Sequence, residues 1–421
     1  MLKLNPQGSF HDERYTMKGK PPKPTRLMKL YVWSRTFFPL WIRRHKYIKI
    51  NMETVQEPYI MLASHGSYLD FKTAARAVFP KSAANVAALD AYVKYEKLLK
   101  WLGSIGVRKF STQDSTVGRN MLHVIKKHGL TLIIYPEARY TLDGRAHYIP
   151  PSLGKLVKLA KVPVVTLINH GHHLAKPYWS KQGRFFKTES VLKQIITAEE
   201  THLLTPDAIN ERIQEAFVYD DYQWQKSKQL KIRHRKRAEG LENLLYRTYG
   251  TQHEGTLRSK GHQLFCEASE KRFELNEQGD LIELGDTPKV ITMATWVDWQ
   301  KECLKASIEE GSYHVETEVD VYVLPNPKGF VSLGKGIFKH SPAGFEVHFQ
   351  VEGEAMSWFH ESKRQYAVHV AYKHHHGQPF IGFSHDNLTY FFGFDQSFPV
   401  TKVAFATELI YQSIKNGDAR D

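Results

Sequence analysis

His65 and Asp70 stand five residues apart in the run Ala63-Ser-His-Gly-Ser-Tyr-Leu-Asp70-Phe71, just beyond the apolar segment Tyr59 to Ala63. An imidazole accepts a proton near neutral pH, and a carboxylate on its far nitrogen fixes the tautomer and supports the imidazolium that forms. The pair is a candidate general base. In regular helix a residue five further on is about one and a half turns away, so Asp70 reaches His65 only if Gly66 and Ser67 turn before the helix begins. The chain holds 22 His, and the same residues also fit a solvated helix start capped by Ser64 or Ser67. Two other polar clusters could serve a ligand. Ile133-Ile-Tyr-Pro136-Glu137-Ala138-Arg139-Tyr140-Thr141 supplies a carboxylate and a planar cation, and Gly103-Ser-Ile-Gly106-Val107-Arg108-Lys109-Phe110 puts two cations behind two glycines, which permit close backbone approach.

These clusters need elements to carry them. Short apolar runs at Tyr47 to Ile50, Tyr59 to Ala63, Asn85 to Leu89, Leu130 to Tyr135 and Val162 to Ile168 read as strands. Between them, Leu69 to Val78, Ala91 to Leu102, Ser115 to His128 and Leu153 to Ala160 have helical spacing. The alternation predicts an α/β fold with a largely buried sheet. In such sheets functional groups gather at the carboxyl ends of strands, where His65 and Glu137 both stand.

In order and spacing, these segments resemble the glycerolipid acyltransferase family, typified by lysophosphatidic acid acyltransferases. The family's Asn-His, four residues, Asp block is matched by Ser64-His65 to Asp70, with Ser in place of Asn. Its glycine-led block ending in a phosphate-binding Arg is similar to Leu102-Gly-Ser-Ile-Gly-Val-Arg-Lys109, where Lys109 takes that place beside Arg108. Its Pro-Glu-Gly-Thr-Arg-Ser block corresponds to Pro136-Glu137-Ala138-Arg139-Tyr140-Thr141, with the Arg one place early. Val162-Pro163-Val164-Val165-Thr166 resembles the apolar fourth block, and Ser152-Leu-Gly154-Lys the glycine-led helix before it. The likeness spans roughly residues 45 to 175. It implies an acyltransferase domain with a mostly buried mixed sheet flanked by helices. It implies also that His65, oriented by Asp70, deprotonates an acceptor hydroxyl that attacks an acyl thioester, with no enzyme nucleophile. Lys109 or Arg108, together with Arg139, would hold the acceptor's phosphate, and Glu137 would position the acceptor or its neighbouring donors. The implied partners are a lysophospholipid acceptor, foremost 1-acylglycerol-3-phosphate, and acyl-CoA or acyl carrier protein as thioester co-substrate. No cofactor and no metal are expected.

Composition sets the setting. The 421 residues, 42% of them hydrophobic, suffice for two or three cored domains. Two cysteines, Cys266 and Cys303, cannot make a disulfide framework, and no secretory signal pattern opens the chain. A cytoplasmic protein, peripheral on the inner face of the cell membrane, is the expectation. The net charge of +14 points to an anionic partner, either nucleic acid or a phospholipid surface; charge alone does not choose, and with the resemblance the expected partner is an anionic membrane surface, nucleic acid being disfavoured. No apolar run is long enough to span a bilayer. Leu27 to Ile42, rich in aromatics and followed by Arg43, Arg44, His45 and Lys46, suits an interfacial helix or a packed helix interrupted at Pro39.

The expected domains are a mobile arm over 1–25, the acyltransferase domain over 26–240, a ribbon-like segment over 241–290 and a β-rich domain over 291–421. Lys226 to Arg237 holds seven Lys or Arg and reads as a solvated linker helix or an anionic-lipid contact. Thr248, Thr251, Cys266 and Ser269 have the ligand spacing of a zinc ribbon with three of four ligands absent, which predicts a metal-free relic with hairpin turns at Lys260-Gly261 and Gln278-Gly279. His253 and His262 are the candidates for a substitute site with Cys266. After a helix-like stretch over Trp299 to Glu309, alternation over Tyr313 to Val323, short strands at Phe345 to Val351, Gln365 to Tyr372, Pro379 to Ser384 and Leu388 to Gly393, and an amphipathic helix over Val400 to Ile414 resemble a pleckstrin-homology or GRAM-like module. His374, His375 and His376 are expected exposed in a hairpin turn. The competing functional class is a catalytically silent platform binding anionic lipid or nucleic acid.

Overall fold

A computed structural model describes residues 2–16, 20–22, 25–110, 115–373 and 377–418, so His374, His375 and His376 lie outside the described residues. Two compact units emerge, one from the spans 17–107 and 113–232, the other from 1–16, 108–112 and 233–421.

The first unit opens with helix α1 (Arg26–Ile42), which runs through Pro39 without a break. There follow β1 (Lys46–Ile50), β2 (Ile60–Ala63), α2 (Leu69–Val78), β3 (Ala83–Ala88), α3 (Leu89–Trp101) and β4 (Ile105–Val107). The rest is α4 (Ser115–Lys126), β5 (Thr131–Ile134), α5 (Leu153–Ala160), β6 (Val164–His170), α6 (His172–Ala175), β7 (Glu189–Ile196), α7 (Glu200–Leu203), α8 (Pro206–Ala216) and α9 (Asp221–Ser227). Its seven strands form one sheet in the order β1-β7-β6-β2-β5-β3-β4, parallel except where β6 meets β7. The sheet is mixed.

Alternation along the central strands divides the core. Ile60 and Leu62 of β2 face one way with Leu132, Ile134 and Val164. Met61 and Ala63 face the other with Ile133, Val165 and Leu167. Every residue of β2 and β5 is buried, because parallel strands covered by helices on both faces have no solvent side. Burying a Leu or Ile in this way contributes about 1.5–3 kcal/mol.

In the second unit, β8 (Leu257–Lys260), β9 (Gln263–Cys266), β10 (Arg272–Leu275), β11 (Leu281–Leu284) and β12 (Lys289–Ile291) make an antiparallel meander in sequential order. Its tight turns fall at Gly261 and Gly279, both with positive φ (65° and 82°), as expected of glycine. Helix α10 (Met293–Glu309) leads to β13 (Val315–Leu324), β14 (Val331–Ser341), β15 (Gly344–Val351), β16 (Glu354–Glu361), β17 (His369–Ala371), β18 (Phe380–His385) and β19 (Leu388–Gly393), and α11 (Val400–Asp418) closes the chain. These seven strands form a wholly antiparallel sheet, β16-β15-β14-β13-β19-β18-β17. Its core is aromatic, with Phe338, Phe345, Phe383, Phe392 and Phe394 fully buried.

Three expectations differ from the structure. Of the arm expected over 1–25, residues 2–16 carry hydrogen bonds within the second unit, Asn5 N–H donating to Phe330 O at 2.8 Å and Tyr15 N–H to Pro325 O at 2.7 Å, while 1, 17–19 and 23–24 lie outside the described residues. No helix continues over Lys228 to Arg237; α9 covers only Lys226 and Ser227 of the run, and Gln229 takes a left-handed φ of 54°, since crowded like charges oppose continuation. The units also divide near residue 232 rather than 240, with 108–112 assigned across the division.

Candidate active site

The polar residues of the first unit converge where β2, β5 and β6 end. Beyond β2 the chain turns at Gly66 and Ser67, and α2 begins at Leu69. This is the turn that the five-residue spacing demanded. His65 Nδ1 lies 3.0 Å from Asp70 Oδ2, which also accepts the Ser67 backbone N–H at 2.8 Å. A carboxylate only accepts, so His65 carries its proton on Nδ1 and Nε2 is the nitrogen left to act as base. The Asp70 side chain is fully buried, while 10% of the His65 side chain stays exposed. Burial works to raise the Asp70 carboxyl, but hydrogen bonds from His172 and His65, and their charges, outweigh it and hold the group below its ordinary range.

His65 is gripped through its backbone by the turn after β5. Its N–H donates to Glu137 Oε2 at 2.9 Å, and its carbonyl accepts the Thr141 N–H at 2.8 Å. Its ring packs on Tyr140 and Tyr135, with centroids 4.0 Å and 4.5 Å away. Glu137, 1% exposed, also accepts His147 N–H at 3.0 Å and Tyr219 O–H at 2.8 Å. Burial pushes its carboxyl up to about 7, against the pull of those donors. Of the two roles expected of Glu137, the described contacts are those with neighbouring donors, the His65 and His147 N–H groups and the Tyr219 O–H. Ala138 beside it adopts φ 57°, a left-handed conformation costly for any residue with a Cβ. Arg139 is buried in the same turn, 4% exposed.

The Ser64 side chain has a structural part of its own. Its Oγ accepts Asn169 N–H at 2.8 Å, and its carbonyl accepts Asn169 Nδ2 at 3.3 Å. Asn169 Oδ1 in turn accepts from Thr73 (3.1 Å) and Ser190 (2.5 Å), tying the ends of β2 and β6 to α2 and β7.

Sequence reasoning missed His172, Tyr219 and Asp221. His172 Nδ1 lies 2.5 Å from Asp70 Oδ1, and both side chains are fully buried. The available signal was Asn169-His-Gly-His-His173, a polar run at the carboxyl end of β6, where the strand-end rule points. Arg108 and Lys109 belong to the other unit. There Arg108 donates to the Tyr15 carbonyl, and Lys109 Nζ lies 3.1 Å from His369 Nδ1.

At the ribbon positions, Cys266 Sγ lies 3.2 Å from Thr256 Oγ1. Burial acts to raise the thiol, and the hydroxyls of Ser269, Thr248 and Thr256 outweigh it, bringing it down to about 7. Among the described residues no group of three or more His, Cys, Asp or Glu could hold a metal. His262 approaches Glu274 at 4.0 Å.

Residues 45–169 match the Acyltransferase family. The sequence of no curated protein matches the chain. A solved 1-acyl-sn-glycerophosphate (LPA) acyltransferase, PlsC, from Thermotoga maritima is 16% identical and covers 48% of this chain and 89% of its own, with a TM-score of 0.34, a likeness too slight to bear on this chain.

Proposed function

With residues 45–169 carrying an acyltransferase-family domain, we propose that this protein moves a fatty acyl group from an acyl thioester to the free hydroxyl of a lysophospholipid, foremost 1-acylglycerol-3-phosphate. The observation that carries the reading is His65 Nδ1 held 3.0 Å from the buried Asp70 carboxylate, with Nε2 left as base. His65 Nε2 takes the proton of the acceptor hydroxyl as its oxygen bonds to the thioester carbonyl carbon. The C–S bond then breaks, and the proton passes to the leaving thiolate. A base of this kind contributes on the order of 10² to 10⁴ in rate, and positioning of the two substrates supplies much of the rest.

Of the cations that the resemblance implies for the acceptor's phosphate, Arg139 is the one in the same unit as His65, and it is the one assigned to the phosphate. Surface attachment falls to α1, where Leu27, Leu30, Phe38, Trp41 and Ile42 are all more than half exposed ahead of Arg43 and Arg44. Apolar and aromatic residues beside a basic flank suit an interfacial helix, and no helix among the described residues is long and apolar enough to cross a membrane. The reading places the protein on the cytoplasmic face of the cell membrane, with the C-terminal β module as a PH/GRAM-like second contact.

The test is transfer of labelled acyl chains from acyl-CoA and from acyl carrier protein to lysolipids with and without phosphate. His65→Ala is expected to fold and to lose at least a hundredfold in rate. Undiminished transfer by that variant would sink the reading, and transfer only to phosphate-free acceptors would remove the phosphate from it.

A further inference from the structure

The Asp70 carboxylate is shared. Its Oδ2 receives His65 Nδ1 and the Ser67 N–H, and its Oδ1 receives His172 Nδ1 at 2.5 Å. Because a carboxylate offers only acceptors, both imidazoles must bring a proton on Nδ1. His172 has no surface at all, so it does not meet a substrate. The chain also spends several devices on holding it there. Gly171 takes φ 76°, and a Cβ on it would meet Lys187 O at 2.6 Å. The Asp221 carboxylate accepts the Gly171 N–H at 3.0 Å and the His173 N–H at 3.1 Å, clamping the loop on either side of His172. Gly66, between His65 and Asp70, lies so near that a Cβ there would stand 3.2 Å from His172 Cβ.

We propose that His172 is a positioning residue for the base: its Nδ1–H anchors Asp70 Oδ1, so that Oδ2 alone is presented to His65. The proposal rests on the acyl-transfer reading of His65. A carboxylate held on one side only is free to rotate, and a buried oxygen left without a donor carries the full desolvation cost. The second imidazole removes both faults, as outer partners do for ligating histidines. It also draws on the charge that would otherwise support the His65 imidazolium. His45 also faces His172, 5.8 Å away between ring centroids and bonded through Nδ1 to Thr188 Oγ1 at 2.8 Å, and Glu137 faces His65 from the turn after β5 through the His65 N–H at 2.9 Å. Its environment keeps His45 uncharged near neutrality, since burial first and His172 second lower it to about 3.

Two substitutions separate positioning from bulk structure. In His172→Asn the amide nitrogen stands near Nδ1 and still donates to Oδ1. In His172→Gln it stands near Nε2 and does not. The expected result is that the Asn variant keeps kcat within about threefold, while the Gln variant loses roughly 10–100-fold in kcat with little change in either KM. The acid limb of the Gln variant's kcat/KM profile should move to higher pH, because Asp70 then supports the His65 imidazolium unshared. Equal kcat and equal acid limbs in the two variants would overturn the proposal. A second readout does not depend on turnover. In ¹⁵N-histidine-labelled protein the His65 Nδ1 proton should resonate far downfield in the unsubstituted and Asn proteins, and be shifted or lost in the Gln variant. An inert unsubstituted protein with that pattern intact would reject the acyl-transfer reading and leave the positioning role standing; an unchanged signal in the Gln variant would reject the positioning role.

Discussion

At the scale of residues, the base is defined less by its own side chain than by what grips it. Glu137 holds the His65 N–H and Thr141 holds its carbonyl, so changes in the turn after β5 should act on His65 without touching substrate. Glu137→Gln replaces one acceptor oxygen by a donor facing backbone N–H groups, and it should cost about 2 kcal/mol of stability and lower kcat; thermal unfolding and steady-state kinetics measure the two. A protein as stable and as active as the parent would show that the carboxylate does not matter. Ala138 gives a prediction of opposite sign. At φ 57° its Cβ is strained, and Ala138→Gly should raise stability by about 0.5–1 kcal/mol, after the entropy that glycine adds to the unfolded chain. No gain in the denaturation midpoint would argue against strain there. His65 and Asp70 were legible in the sequence because they are local, and the turn condition attached to them is met. His172 and Tyr219 lie 102 and 82 residues from the groups they bond, and no local pattern reports a contact formed only when distant strand ends meet.

At the scale of elements, what could be read followed burial. α2 and α5 occur over the residues that periodicity marked, Leu69–Val78 and Leu153–Ala160, and β2 differs from its apolar run by one residue. β14 and β16 passed unread. Val-Ser-Leu-Gly-Lys-Gly breaks the alternation of β14 with two glycines, and β16, at the sheet edge, has no fully buried residue. Edge strands need no apolar face, so sequence carries little trace of them. The glycine-led helix does have a readable reason. A Cβ on Gly154 would come within 2.0 Å of Pro206 O, and its N–H donates to Asn210 Oδ1 at 2.7 Å, which seats α5 on α8. Gly154→Ala should therefore destabilise the protein by about 1–3 kcal/mol despite alanine's better helix propensity. Equal or higher stability on chemical denaturation would contradict that packing.

At the scale of the whole molecule, acid should be the weak side. His45 and His173 in one unit, and His340 and His360 in the other, are lowered by burial to about 3, 4, 3 and 4. Each stays neutral when folded and takes a proton when unfolded, so its contribution is present above about 6.5 and is lost as pH falls below it. Each costs up to about 1.4 kcal/mol per pH unit in that window. Glu137 runs the other way: raised to about 7, it contributes below the ordinary carboxylate range and loses that contribution as pH rises through 7. Four groups oppose one, so the urea midpoint should be clearly lower at pH 5 than at pH 8; an equal or higher midpoint at pH 5 would show that these imidazoles are solvated. The division of the chain carries a practical consequence for anyone dissecting it. Because 108–112 interrupts the first unit yet clusters with the second, no single cut yields either unit with all its own residues. A cut in the basic stretch near 232 would leave 2–16 and 108–110 on one fragment and the rest of their unit on the other, and the base of the first unit is best studied in the uncut protein.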